Sequence, residues 1–490
     1  MDNLEIVSNN TIKRTNPNIN FTQSQQVAID GLLEFINSPF DSGKFINGLI
    51  GSGGTGKTFT INYIINACNY AISTIRCTAP THKACRVLSQ ALNGLKVETI
   101  QSTFGFRLDT KLEDFDYNNP RFSPVSTPKL ENIKVLIIDE SSMLPAKLVN
   151  YIIKICKPLE IKIIFIGDSS QLPPVNEKTS TAFNVCNKLY QLTEIVRQED
   201  NNPILFLLNI LREDIKNNTY KFISYINANL NSQNVNEFGD GYFICNPNDF
   251  TQLIDERFRD EEYLKNINLY KIIGYTNDKV AIWNNFVRNR IIKDADKTII
   301  NKNDLIMSYQ TIVNEFNSIV INNSEEYIVK DIINYTDTTY GFKGFLVKFQ
   351  MVNGGNVTTP LFILDHTDRF SITKYIQVIG ELVKAAKFAN GATRSKRWKE
   401  YFEFKKKYLI MCNIKNATQV LYQRDIDYGF AITSHRSQGS TYDNVFVDMK
   451  DIIFDKNNNI YNNKAEMLRR LYVACSRTRH KLYICYGKAE

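Results

Sequence analysis

The chain has 490 residues, 43% hydrophobic and 22% charged, with a net charge of +8 and a sequence pI near 8.8. That length allows several packed cores, and the positive balance suits a polyanionic partner without naming one. Nine cysteines without CxxC spacing and four scattered histidines argue against a disulfide framework and a zinc site, and for a reducing compartment. The opening `MDNLEIVSNNTIKRTNPNIN` has no signal-peptide core, and runs such as `VLII` are too short to span a bilayer, so no membrane association and a cytoplasmic location are expected.

In chain order, the apolar runs `FINGLIG`, `VLIIDE`, `IIFIGD`, `YKIIGYTN`, `NVFVD` and `KLYICYG` suit parallel strands buried on both faces. Helical patterns lie between several of them. `TFTINYIINACNYA` is one; `AEMLRRLYVACS` is another, with Met467, Leu468, Leu471, Tyr472 and Cys475 at spacings of three and four. The alternation predicts an α/β fold, and its presence before residue 190 and after residue 270 predicts two units. Turn-rich residues 107–130 interrupt the first as a small hairpin insertion. Residues 301–415 differ again: `EYIVKDI`, `GFLVKFQMV` and the turn `NGG` predict a small β-barrel. Two helical segments follow. Ile372, Tyr375, Ile376, Ile379, Leu382 and Val383 form the stripe of the first, which Gly391 would end.

Gly51-Ser52-Gly53-Gly54-Thr55-Gly56-Lys57-Thr58 satisfies the P-loop pattern between an apolar strand and a helix. Its glycines let backbone N–H groups converge on phosphates, Lys57 reaches the β/γ-phosphates, and Thr58 offers a hydroxyl to Mg²⁺. Asp139 and Glu140 end the strand `VLII`. There Asp139 can hold Mg²⁺, and Glu140 can orient and deprotonate the attacking water. Binding and hydrolysis of ATP with Mg²⁺ is the expected chemistry.

With `IIFIGDSSQLPPV`, these motifs resemble those of superfamily 1 helicases, specifically the RecD/Dda-type branch with a Dda-like layout. The resemblance implies two RecA-like P-loop motor domains, 1–106 with 131–190 and 191–300 with 416–490. It also implies a pin hairpin at 107–130 and an SH3-like barrel with a helical tower at 301–415. `FTQSQ` is similar to the adenine-recognition motif, with Gln25 on the base. `TAPTHKA` and `TIQSTFG` resemble the strand-gripping segments, which implies nucleic-acid contacts for Pro80, Thr81, His82, Lys83, Ser102 and Thr103. Gln171 would sense the γ-phosphate, and Arg197 and Arg477 would reach it from the second domain. Gln438 and Gly439 would sit at the nucleotide, with His435 and Ser437 on the nucleic acid. Arg436 stands where the family often has Lys, and Ser476 where it often has Thr.

The implied activity is ATP-dependent 5′-to-3′ movement on single-stranded DNA with duplex unwinding; the polarity comes from the resemblance alone. An RNA motor and an ATPase clamp without unwinding remain alternatives, the second opposed by the intact pair Asp139 and Glu140. Phe115, Tyr117 and Phe122 are candidate wedge aromatics or anchors of the hairpin to its own domain. `RSKRWKEYFEFKKK` carries seven basic and two acidic residues among four aromatics, and reads equally as a DNA-facing strip or a packed helix. Expected partners are single-stranded DNA, duplex junctions and single-strand-binding or replisome proteins, with the chain a monomer. Its high Asn, Ile and Lys content suggests an AT-rich genome such as that of a phage, and then a host-cytoplasmic location.

Overall fold

A computed structural model describes residues 20–106, 125–174, 177–194, 202–314, 318–415 and 420–487. Six parallel strands form the first sheet: β1 (Ile46–Gly51), β2 (Ile75–Ala79), β3 (Val97–Thr99), β4 (Val135–Ile138), β5 (Lys162–Gly167) and β6 (Lys188–Leu192), ordered β3-β2-β4-β5-β1-β6. Every residue of β1, β4 and β5 is buried, which is why their sequences are continuously apolar rather than alternating. Successive side chains of β5 enter opposite cores. Ile163 and Phe165 pack with Ile50, Leu136 and Leu148, whereas Ile164 and Ile166 pack with Leu49, Ile61 and Ile137. Because β4, β5 and β1 are adjacent, the segments leaving their carboxyl ends meet, the usual ligand position of such sheets.

The second sheet contains β7 (Ser232–Val235), β8 (Gly241–Cys245), β9 (Tyr270–Gly274), β19 (Ala431–Thr433), β20 (Tyr442–Asp448) and β21 (Thr478–Cys485). Its order is β19-β9-β20-β21-β8-β7, parallel except where β7 meets β8. The helix Lys464–Cys475 buries Met467, Leu468, Leu471, Tyr472 and Cys475, the stripe read from the sequence.

Residues 275–430 intervene between the neighbouring strands β9 and β19. They hold an antiparallel sheet of β10 (Leu305–Ser308), β13 (Glu326–Thr336), β14 (Lys343–Met351), β15 (Leu361–Leu364) and β18 (Ile426–Tyr428), ordered β15-β14-β13-β10-β18. Two short pairs, β11 (Ile312–Val313) with β12 (Ile319–Ile321) and β16 (Ile414–Lys415) with β17 (Val420–Tyr422), complete the strands described. The `NGG` turn lies between β14 and β15, with Gly354 and Gly355 at φ of 91° and 113°.

Two helices, Arg369–Phe388 and Gly391–Lys407, pack Tyr375, Ile379 and Phe404 against Phe342 and Phe362 of the sheet region. The expectation for Gly391 is corrected. The first helix stops at Phe388, and Gly391, at φ of 54°, opens the second, so its left-handed backbone serves the turn between them. Ile376 of the predicted stripe is exposed. Phe404 is in the core, and Lys405 and Lys407 pair with Asp425 and Asp337, so the end of `RSKRWKEYFEFKKK` is a packing face. Phe115, Tyr117, Phe122 and Arg197 lie outside the described residues.

Candidate nucleotide and nucleic-acid sites

At the end of β1, positive φ at Gly54 (86°) and Gly56 (81°) turns the chain into the helix Lys57–Ala67. No side chain caps this helix, so its first N–H groups and the positive end of its dipole face the loop. The Thr55 hydroxyl donates to the Ser52 carbonyl at 2.9 Å and holds the loop closed on itself. Lys57 Nζ donates to the carbonyls of Gly51 at 2.7 Å and Ser52 at 3.0 Å. Among the described residues Lys57 forms no salt bridge, while its charge acts on the nearby carboxyls of Asp139 and Glu140. Gly53 has open space where a side chain would stand. Converging N–H groups, a lysine at the mouth of the loop and open space at Gly53 fit a phosphate chain.

Gln25 lies beside the loop. It is 1% exposed; its Oε1 accepts from the Thr22 N–H at 3.1 Å in a capping box, and its Nε2 donates to the Thr55 carbonyl at 3.1 Å. One lone pair and one N–H of the amide thus brace the loop against its neighbouring helix.

Asp139 and Glu140 follow β4 directly. Glu140 is held in the left-handed region at φ of 51°, where its N–H donates to Asp139 Oδ1 at 2.8 Å. A non-glycine residue in that region is strained, and such strain gathers at functional positions. Burial raises both carboxyls above the ordinary carboxylate range. Asp139 raises Glu140 further, while Arg477 and Lys57 hold it down. Beyond β5, Asp168 Oδ1 accepts the Ser170 N–H at 2.9 Å, and the buried Oε1 of Gln171 has no hydrogen-bond partner. An unsatisfied buried oxygen suits a site completed by a ligand.

The second unit supplies the opposite wall. Tyr472 Oη donates to Asp168 Oδ2 at 2.8 Å, and Arg469 donates to the carbonyls of Ser169 and Gln171. Gln438 Nε2 donates to the Leu172 carbonyl at 3.3 Å, just before Gly439 at φ of 70°. Arg477 is 8% exposed and donates to Val473 O (3.0 Å), Ser440 O (3.2 Å) and Ser476 Oγ (2.8 Å). These neutral partners fix its guanidinium near enough to Glu140 to stabilise that carboxylate. Thus Lys57, Thr58, Asp139, Glu140, Gln171, Gln438 and Arg477, distant in sequence, lie along one seam.

A second cleft of about 670 Å³ opens farther along the seam. Pro80, Thr81 and Gln101 line it from the first unit, Thr433, His435 and Arg436 from the second, and Tyr309 and Arg424 from the antiparallel sheet. Thr81 also caps the helix His82–Ala91 by accepting the Ala84 N–H at 3.2 Å, which fixes the adjoining His82. Burial and Arg86 lower the pKa of His82, and burial with Arg470 brings that of His435 to about 4, so both imidazoles are neutral near pH 7.

Four of the expected nucleic-acid contacts have partners within the protein, and two of them, Thr103 and Ser437, are fully buried. Lys83 pairs with Glu326 at 3.8 Å, its ammonium 5.0 Å from the Tyr442 ring centre. Ser102 Oγ accepts from Lys129 at 2.9 Å. Thr103 is fully buried beside Thr78, and Ser437, also fully buried, donates to the Ser434 carbonyl at 2.7 Å. Conversely, sequence reasoning missed Tyr309, whose ring lies 4.4 Å from the Arg424 guanidinium and 3.7 Å from that of Arg436. A tyrosine just after an apolar strand carries no local signal of that setting.

The AAA domain family matches residues 30–227, and the UvrD-like helicase C-terminal domain family matches residues 428–485. The first match covers the sheet that bears the phosphate loop and the second covers strands of the sheet whose arginines close on it, and together they support an ATP-hydrolysing helicase acting on DNA. An uncharacterized protein of Acanthamoeba polyphaga mimivirus is 26% identical over 94% of this chain and 99% of its own length. The ATP-dependent DNA helicase dda of Enterobacteria phage T4 is 28% identical over 56% of this chain and 60% of its own. The ATP-dependent DNA helicase Pif1 of Psychrobacter sp. is 33% identical over 26% of this chain and 20% of its own. The solved Pif1 helicase of Candida albicans is 20% identical, with a TM-score of 0.46 over 96% of this chain and 95% of that one. The curated relatives it resembles in part also include the ATP-dependent RecD2 DNA helicase of Deinococcus radiodurans, 27% identical over 32% of this chain and 20% of its own. No helix among the described residues is long and apolar enough to cross a membrane.

Proposed function

We propose that the chain moves 5′ to 3′ along single-stranded DNA and separates duplexes, driven by ATP hydrolysis at the seam. The observation that carries this is the 670 Å³ cleft, because one cavity takes walls from both α/β units and lies beside the nucleotide seam. A strand in that cleft touches both units, so opening and closing the seam shifts one grip relative to the other. The phosphate loop and Lys57 bind the triphosphate, and Glu140 accepts the proton of the attacking water. Gln171 and Arg477 donate to the phosphate oxygens as charge develops on them. Thr58 and Asp139 would hold Mg²⁺, whose charge offsets that of the phosphates. Arg197 takes the role its motif implies, a further cation from the second domain.

Domain limits follow the sequence reading: 1–106 with 131–190, and 191–300 with 416–490, as RecA-like motors. Residues 107–130 form the pin, with Phe115, Tyr117 or Phe122 as the wedge. Residues 301–415 form an SH3-like barrel and tower in a Dda-type layout. The protein acts as a monomer at duplex junctions.

The test is strand separation on duplexes carrying a 5′ or a 3′ single-stranded tail, with ATP and with Lys57→Ala as control. Unwinding from the 5′ tail alone is expected. Unwinding from the 3′ tail would reverse the polarity, and hydrolysis stimulated by single strands without unwinding would reduce the protein to a translocase or clamp.

A further inference from the structure

Arg212 lies in the helix Ile204–Asn217, in a segment to which no motif was assigned. That helix buries Leu207 and Leu211 and packs along Lys464–Cys475, so its position is set by the second unit's core. From there Arg212 Nη1 reaches across the seam and donates to the Ser52 hydroxyl at 2.7 Å. Its Nε donates to the Leu208 carbonyl at 3.2 Å, which fixes the direction of the guanidinium. Among the described residues no carboxylate pairs with it. Beside this contact Arg212 lines a cavity of about 70 Å³ together with Gly53, Gly54, Tyr472 and Ser476.

We infer that Arg212 is a third cation of the phosphate site and contacts the γ-phosphate of the bound nucleoside triphosphate from the second unit. The inference rests on the nucleotide-binding role of the P-loop proposed above. Lys57 marks the β/γ end of such a site, and its ammonium rests on the Ser52 carbonyl. Arg212 grips the hydroxyl of that same residue, so the two cations converge on one end of the loop. Neither forms a salt bridge among the described residues; their hydrogen bonds go to carbonyls and to the Ser52 hydroxyl. A part-buried guanidinium with no counterion, at the rim of a cavity, is a place for an anion that arrives with the ligand. Arg212 thereby distinguishes triphosphate from diphosphate and ties the second unit to the loop only while the terminal phosphate is present.

Equilibrium titration of the full chain with a non-hydrolysable ATP analogue and with ADP tests this in wild type, Arg212→Ala and Arg212→Gln. Glutamine keeps a polar N–H donor at the position of Nε but removes the charge and the guanidinium tip, so it serves if alanine compromises folding. Both variants are expected to bind the analogue about tenfold or more weakly, with ADP affinity changed by less than about twofold. Equal weakening for both nucleotides would make Arg212 a brace of the loop and overturn the proposal, as would unchanged analogue affinity in Arg212→Gln. A wild-type chain binding neither nucleotide would instead remove the nucleotide reading itself.

Discussion

The hydroxyl of Tyr472 donates to the carboxylate of Asp168 at 2.8 Å, joining the helix Lys464–Cys475 to the end of β5. Both groups are buried, so the bond exists only while the two units are in register. A hydrogen bond to a charged acceptor contributes about 1.5–3 kcal/mol. Tyr472→Phe keeps the ring and removes the bond. Stimulation of hydrolysis by single-stranded DNA is expected to fall about tenfold, with basal hydrolysis changing less. Steady-state rates with and without DNA check this, and an equal loss in both would detach Tyr472 from coupling.

Lys57 supplies the phosphate site's internal cation, and its ammonium already rests at the mouth of the loop. Lys57→Ala is expected to lower hydrolysis by about 100-fold or more, the usual effect of removing a donor aimed at developing charge. Residual activity within a few-fold of wild type would move the reaction elsewhere.

Glu140 must be ionised to accept a proton, and burial with Asp139 raises its pKa above the ordinary 4.5. Hydrolysis therefore declines as pH falls through that raised value. Removing the Arg477 charge with Arg477→Gln raises the pKa further, so the acid limb of the rate profile moves to higher pH as the maximum rate drops. A limb that stays in place would exclude Glu140 as the base. Stability follows the opposite sign: a carboxyl with a raised folded pKa favours the fold at low pH, and that contribution is lost as pH rises through the raised value.

Glu326 accepts from Lys271, a fully buried lysine of β9, and also pairs with Lys83 of the first unit. Burial alone would raise the Glu326 carboxyl, but the two lysines outweigh it and lower the pKa. Glu326→Gln leaves Lys271 buried without its counterion and should destabilise the chain by about 3–5 kcal/mol. The carboxylate's contribution is present above pH 4.5 and is lost as pH falls through the lowered folded value. Denaturant midpoints at pH 7 and below pH 4 measure both effects, and a midpoint at pH 7 unchanged by the substitution would refute the first.

Tyr309 stands between Arg424 and Arg436 on the wall of the large cleft. Tyr309 is 7% exposed, so its ring positions the two guanidiniums rather than stacking on a base. Tyr309→Ala should weaken single-stranded DNA binding accordingly, and Arg436→Ala should also flatten the dependence of affinity on salt. Fluorescence anisotropy across a salt series checks both; identical salt slopes would place Arg436 off the phosphates.

The phosphate loop was legible because its chemistry is local: eight consecutive residues carry the turn, the cation and the helix start. The strands around it were legible because burial on both faces leaves an unbroken apolar run. Lys83 was not, since its partner Glu326 comes from a distant sheet and no spacing within `THKA` announces it. The bonds from Gln25 to Thr22 and Thr55 were not legible either, being a matter of packing between two helices and a loop. Those of Ser437 and Thr103 were hidden for a related reason: a hydroxyl in a polar motif can face inward to satisfy a neighbour. Arg212 was overlooked because an arginine midway along an amphipathic helix ordinarily faces water.

The placement of residues 275–430 between β9 and β19 also sets an order of events during synthesis. At roughly 5–20 residues per second, the edge of β9 emerges some ten to thirty seconds before the strand that covers it. Throughout that interval an apolar strand has no partner on that side and can join another chain. The antiparallel strands made meanwhile pair largely with near neighbours in sequence, so they can fold early. Once folded, they bring β18 beside β10 and shorten the flexible path from β9 to β19. Closing a short tether costs less entropy than closing a long one. The inserted sheet is thereby a clasp that prepares the second motor's sheet for its last strands.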